Sequence, residues 1–345
     1  MKAFWVTFLT ALVLVVGLNV FVDPSQRWHT DSVYRIDHKW DQDECHLAEP
    51  DIDLVPFRLH HVTLITRPDV LILGSSRALQ LSASMFGTTV YNGAVQGAEI
   101  KTYASVWRKF QSSLGAPKVV ILMLDPSQFR KASMIAPGVP SRFERIHLWV
   151  DEAKEMVSWQ IFKESFHRLP VSLKRNSAPF LGNVNSLPSG SACIRADGSL
   201  IYADKFGENR NWSSVKKSVA EYLGGDPWSS RHLLQRDHSS VAVIELFIQE
   251  LQAAGSNVRL VISPLQTEVL SEFRARPAMN QALGDVQVFA EEISRKTGTS
   301  LCNRLNPGDV PCAHDEFMDN SHMLTSCAAK LVRSCFPDLS GSGGG

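Results

Sequence analysis

Six consecutive apolar residues, Val119-Val120-Ile121-Leu122-Met123-Leu124, constrain this chain more than any other stretch. A strand with one face in water alternates polar and apolar residues, whereas an unbroken apolar run of this length is buried on both faces. Val70–Leu73 reads the same way, and Thr88–Asn92, Val258–Ile262 and Thr299–Cys302 are further strand candidates. Helical segments fall between them. Ala98–Leu114 carries Ile100, Tyr103, Ala104, Trp107 and Phe110 at helical spacing and stops at Gly115. Val241–Ala254 stops at Gly255 and Asp285–Lys296 at Gly298. Strands alternating with helices require right-handed crossovers. The expected fold is therefore α/β, with a mostly parallel sheet between two layers of helices.

The regular alternation covers only part of the 345 residues. Residues 23–67 are polar and broken and read as a stalk and lead-in segment. Here Trp28 and Trp40 stand out, and His60-His61 reads as surface or core histidine with no third ligand nearby. Residues 126–239 lose the rhythm and hold many prolines. A structureless loop of that length is improbable, so this is an insertion with its own elements, including a helix near 148–162. Within it Arg231, His232, Arg236 and His238 read as solvated surface, with lining of a site as the alternative, and Asn211-Trp212-Ser213 matches a glycosylation sequon. The main domain is then 68–339, and Gly341–Gly345 within 340–345 reads as a linker or tag remnant.

Residues Ala3–Val22 carry no charge, and only Thr7, Thr10, Gly17 and Asn19 interrupt the apolar character. About 20 such residues span ~30 Å of hydrocarbon as a helix. The sequence ahead of Asp23-Pro24 is a poor cleavage site, so 1–22 reads as an uncleaved single-pass anchor, with a cleaved signal as the alternative. Lys2 favours the N-terminus inside, which puts the rest of the chain outside the cytoplasm. The six cysteines, Cys45, Cys193, Cys302, Cys312, Cys327 and Cys335, form no C-x-x-C pair. In an oxidising compartment they would form disulfides, with buried free thiols as the alternative. Lys plus Arg total 35 and so do Asp plus Glu. This balance speaks against a nucleic-acid partner, which calls for a basic excess.

Two short stretches carry chemistry. The apolar run 70–73 breaks into Gly74-Ser75-Ser76-Arg77, and Asp319-Asn320-Ser321-His322 lies near the other end of the chain. Glycine permits a sharp turn after a strand, and a following helical turn exposes backbone N–H groups suited to an oxyanion. Asp319 and His322 are three apart, so a helical turn or a tight loop aims both side chains one way. Capping of a helix N-terminus by Asp319 or Ser321 is the competing use. Hydroxyl, imidazole and carboxylate are what nucleophilic acyl transfer needs.

These residues resemble the SGNH (GDSL-like) hydrolase superfamily, whose nucleophile follows the first strand in G-D-S and whose His and Asp lie in a late D-x-x-H. The resemblance covers roughly 68–125 and 240–335. It implies Ser76 as nucleophile, with Ser75 retained as the alternative, His322 as base and Asp319 as its orienting carboxylate. Asn92 to Gly97, in Tyr-Asn-Gly-Ala-Val-Gln-Gly, looks like the family's second block, which implies Gly97 and Ser76 N–H groups as oxyanion donors. The chain departs from the family twice: Ser75 replaces the motif Asp, and Asp125-Pro126-Ser127-Gln128 lacks the Asn of the third block. Gln128 is the candidate substitute. Arg77 is a candidate for an anionic glycan, with plain surface arginine as the alternative.

An N-terminal anchor before a divergent G-S-S motif looks like bacterial polysaccharide O-acetyltransferases of the alginate acetylation or teichoic acid D-alanylation type. That likeness implies acyl, chiefly acetyl, transfer to a polysaccharide acceptor at the periplasmic side of the inner membrane. It also implies a multi-pass membrane acyltransferase as donor partner, and no metal or organic cofactor. A membrane-anchored carbohydrate esterase with the same triad and a non-catalytic module for assembly or glycan binding remain as alternatives.

Overall fold

The computed structural model describes residues 2–22, 44–48, 54–129, 162–163, 165–166, 181–183, 192–202, 212–224, 234–310 and 312–341. Trp28, Trp40, Arg231, His232, Asn211 and nearly all of the 148–162 segment lie outside them.

In chain order the elements are α1 Lys2–Val22, β1 Glu44–Ala48, α2 Leu54–His61, β2 Val70–Leu73, β3 Val90–Asn92, α3 Ile100–Leu114 and β4 Val119–Leu124. The segment that follows supplies β5 Leu181–Asn183, β6 Ala192–Arg195, β7 Leu200–Tyr202 and α4 Trp212–Gly224. The last part holds α5 Ser239–Ala253, β8 Asn257–Ile262, α6 Thr267–Ala275, α7 Pro277–Thr297, β9 Ser300–Asn303 and α8 Thr325–Cys335.

The central sheet has five strands in the order β3-β2-β4-β8-β9. Every neighbouring pair is parallel, with Ile72 opposite Ile121 and Leu122 opposite Leu260. β4, the six-residue apolar run, is the middle strand and is buried along its whole length. The protein is thus a mixed α/β fold with a parallel sheet flanked by helices. α7 begins at Pro277, eight residues before the expected Asp285. Proline suits a first helical turn, and Met279, Ala282, Leu283 and Val286 extend the buried stripe.

A second, antiparallel sheet of four strands has the order β5-β1-β6-β7. It joins the lead-in segment to the insertion, since Cys45 in β1 is disulfide-bonded to Cys193 in β6. The turn between β6 and β7 docks on the central sheet: Asn92 N–H donates to Asp197 O at 2.7 Å and Leu200 N–H to Leu79 O at 2.8 Å. His61 is a core histidine, buried between the rings of Phe57 and Tyr91.

Two more disulfides, Cys302–Cys335 and Cys312–Cys327, cross-link the C-terminal region. Three disulfides fit an oxidising, extracytoplasmic location. The α1 backbone is helical over 21 residues, and Trp5, Val6, Leu9, Val13, Leu14 and Phe21 are each more than half exposed. Its one amide side chain is engaged, since Ser165 Oγ donates to Asn19 Oδ1 at 3.1 Å. Side chains at positions 2–4, 8 and 22 lie outside the described residues. Among the described residues no helix is long and apolar enough to cross a membrane.

Candidate active site

Parallel strands deliver their following loops to one edge of the sheet, and ligands of open α/β sheets bind beyond that carboxyl edge. Each strand here contributes. Ser75, Ser76 and Arg77 follow β2; Gly97 and Ala98 follow β3; Asp125–Gln128 follow β4. Leu265 follows β8, and Asn320–His322 come from the loop after β9. Together with Tyr222 and Phe273 they enclose a cavity of about 200 Å³.

β2 ends at Leu73, and Gly74 follows because the chain must turn back at once. A Cβ at Gly74 would sit 2.6 Å from Ala78 Cβ and 3.2 Å from Met123 Cβ. The turn continues as a 3₁₀ segment, Ser76–Ala78, which Ser76 heads. Gly74→Ala is expected to destabilise the protein by about 1–3 kcal/mol through overpacking. A denaturant midpoint equal to wild type would refute this.

The D-x-x-H segment sits on a tight loop rather than a helical turn. Phe317 pairs with Met323 in an isolated antiparallel bridge, and Met318 N–H donates to His322 O at 2.7 Å. Asp319 Oδ1 accepts the backbone N–H of Ser321 at 2.8 Å and of His322 at 2.9 Å. α8 starts only at Thr325, after Leu324, so neither Asp319 nor Ser321 caps it.

Asp319 Oδ2 lies 2.7 Å from His322 Nδ1, and His322 Nε2 lies 2.8 Å from Ser76 Oγ. Burial pushes the Asp319 carboxyl up. The His322 ring, through its charge and its hydrogen bond, and the two backbone N–H groups outweigh that and bring it down to about 2. An ionised carboxylate only accepts, so Nδ1 carries a ring proton, and in the neutral ring Nε2 is left to accept the Ser76 hydroxyl. The array is ordered for proton removal from Ser76.

The remaining candidates separate clearly. Ser75 Oγ donates to Asp125 Oδ2, which removes it from the hydrogen-bond chain through His322. Arg77 is not a surface arginine: it is buried, with Nε 3.6 Å from Asp125 Oδ1. Asn92 is fully buried and outside the cavity lining. Its amide donates to the carbonyls of Ala78 (2.7 Å) and Leu81 (2.9 Å), bracing the turn after Ser76. Gly97 lines the cavity at φ +64° with open space around its missing Cβ, so the backbone conformation is what calls for glycine there. Gln128 commits one amide proton to Ala98 O at 2.8 Å, next to Gly97. Arg236 pairs with Asp285 and exposed His238 with Glu292, both outside the cavity lining.

Sequence reading missed Tyr222 and Phe273, whose rings face each other at 6.5 Å. Tyr222 comes from α4 in the insertion. Burial, opposed by Arg77 and reinforced by Asp319, pushes its hydroxyl up to about 12, so it stays protonated. Among the described residues no group of three or more His, Cys, Asp or Glu is placed to hold a metal ion. Comparison with protein-family models and with curated proteins finds no match to this chain.

Proposed function

We propose that this protein is a serine acyltransferase of SGNH type. It moves an acyl group, chiefly acetyl, onto a hydroxyl of an extracytoplasmic polysaccharide. The observation that carries the reading is the continuous hydrogen-bond array Ser76–His322–Asp319, opening into a cavity at the carboxyl edge of a parallel sheet.

In the first half-reaction Ser76 Oγ attacks the donor's acyl carbon as its proton passes to His322 Nε2. Backbone N–H groups of Ser76 and Gly97 receive the oxyanion. Collapse breaks the bond to the leaving group, which takes the proton from His322. In the second half-reaction a sugar hydroxyl attacks the acyl-Ser76 ester and gives its proton to His322. The acyl group moves to the sugar, and Ser76 Oγ leaves with the proton returned by His322 Nε2. Asp319 holds the Nδ1–H tautomer throughout and offsets the imidazolium charge. Among the described residues Gln128 stands nearest to the role of the third-block Asn, lining the cavity with one amide proton committed to Ala98 O. It thereby supports the Gly97–Ala98 turn.

The anchor belongs to the same reading. Exposed apolar side chains on a helix call for an apolar surrounding, and α1 exposes Trp5, Val6, Leu9, Val13, Leu14 and Phe21, although its described residues alone are not long and apolar enough to span a membrane. A single-pass protein of the bacterial inner membrane, with its catalytic domain in the periplasm, accommodates both this helix and the disulfides. A multi-pass membrane acyltransferase would supply the acyl donor.

The test offers the full-length protein an activated acetyl ester, with and without oligosaccharide. Acetyl-Ser76 by mass spectrometry and acetylated sugar are the expected products. Acetate alone would select the esterase. An acetyl adduct formed equally by Ser76→Ala would refute the assignment of the nucleophile.

A further inference from the structure

The residues on both sides of Ser76 are tied to one buried carboxylate. Ser75 Oγ donates to Asp125 Oδ2, and Arg77 Nε faces Asp125 Oδ1 at 3.6 Å. Ser263 Oγ donates to the same Oδ1 at 3.3 Å and accepts from Arg77 Nη1 at 3.4 Å. The four side chains come from the ends of β2, β4 and β8, and all are buried. A buried ion pair with its hydrogen-bond partners is a weak source of net stability compared with apolar packing. It is, however, rigid once every member is satisfied.

We propose that Asp125 is a positioning residue for Ser76, acting through Ser75 and Arg77. The inference rests on reading Ser76 as the nucleophile. Ser76 sits where β2 turns into a 3₁₀ segment. The peptide units around it have only φ and ψ as soft degrees of freedom. Anchoring the side chains of both neighbours to one carboxylate at the end of the central strand restricts those rotations. It fixes the direction of Ser76 Oγ toward His322 Nε2 and of its N–H toward the cavity. A misplacement of about 1 Å at a reacting atom costs about 10²-fold in rate. The pair also gives the first departure from the G-D-S pattern a physical content. The carboxylate missing at position 75 is supplied from β4 and touches the hydroxyl that stands in its place.

The test measures inactivation of the full-length protein by a fluorophosphonate, resolved into the limiting rate and the half-saturating concentration. Ser75→Ala removes one tether and leaves no charge unpaired. Its limiting rate is expected to fall about tenfold, with half-saturation and melting midpoint unchanged. The reciprocal exchange Ser75→Asp/Asp125→Ser keeps hydroxyl, carboxylate and the counter-charge of Arg77, and is expected to label within about threefold of wild type. Labelling of Ser75→Ala at the wild-type rate would overturn the positioning role alone. No labelling of wild type would overturn the nucleophile reading and this inference with it.

Discussion

Replacing His322 by alanine is expected to lower acyl transfer by about 10⁴- to 10⁶-fold while leaving the protein folded. The ring is the only group bonded to both Ser76 and Asp319 in the array. It is partly exposed, at 28 % of its side chain, so its removal opens no large core cavity. Single-turnover acetylation of Ser76, measured beside a thermal melt, reads the two effects separately. Turnover near wild type in a folded variant would end the triad assignment. Asp319→Asn is expected to cost about 10⁴-fold through loss of the correct tautomer.

The Asp319 carboxyl also sets a stability effect with a defined sign. Its folded value is lowered from 3.8 to about 2. The stabilisation is therefore complete above about pH 4 and is lost as pH falls through about 2. It amounts to about 2 kcal/mol. In His322→Ala the charge and side-chain hydrogen bond that lower it are gone, and only the two backbone N–H groups still oppose burial. The variant is therefore expected to lose this contribution at a higher pH than wild type, in acid titrations followed by circular dichroism.

The central sheet was legible because β2 and β4 are continuous apolar runs, a pattern that only a doubly buried strand requires. The second sheet was not. Glu44-Cys45-His46-Leu47-Ala48 alternates polar and apolar over too few residues to mark a strand by itself, and it becomes one by pairing with residues far along the chain. The Ser76, Asp319 and His322 constellation was readable as residue types after turns. Whether Asp-x-x-His lay on a helix or a loop was not, because Asp319 Oδ1 closes the loop through backbone N–H bonds that spacing does not encode. The choice between Ser75 and Ser76 turned on a partner 50 residues away. Tyr222 stood in a segment whose helical period gave no sign of where the helix docks.

Opening the Cys312–Cys327 bridge should damage catalysis more than its effect on stability explains, whereas opening Cys302–Cys335 should do the reverse. The two bridges are nested. Cys312–Cys327 encloses the loop that carries Asp319 and His322, with a separation of 15 residues, and Cys302–Cys335 encloses both with 33. Chain-entropy estimates give about 3 kcal/mol for the inner bridge and about 4 kcal/mol for the outer one. Their structural surroundings differ. Cys302 lies in β9, which is also held by parallel pairing with β8 through Leu260–Leu301 and Val261–Cys302. The loop after β9 has no sheet to hold it. Its internal bonds preserve the Asp319–His322 pair, and its placement against Ser76 rests on buried Phe317 and Met318, on the Lys330–Glu316 pair and on the Cys312–Cys327 bridge. Cys312→Ser/Cys327→Ser is therefore expected to keep the 319–322 loop locally intact while His322 Nε2 drifts from Ser76 Oγ. A shift near 1 Å corresponds to about a 10²-fold fall in the acetylation rate constant of the folded protein. Cys302→Ser/Cys335→Ser is expected to melt earlier yet acetylate Ser76 at nearly the wild-type rate below its melting range. Rates that followed the folded fraction equally in both variants would show that the bridges act on stability alone. A separation in the expected direction would assign placement of the catalytic loop to the inner bridge, and would make acyl transfer dependent on the oxidising compartment that forms it.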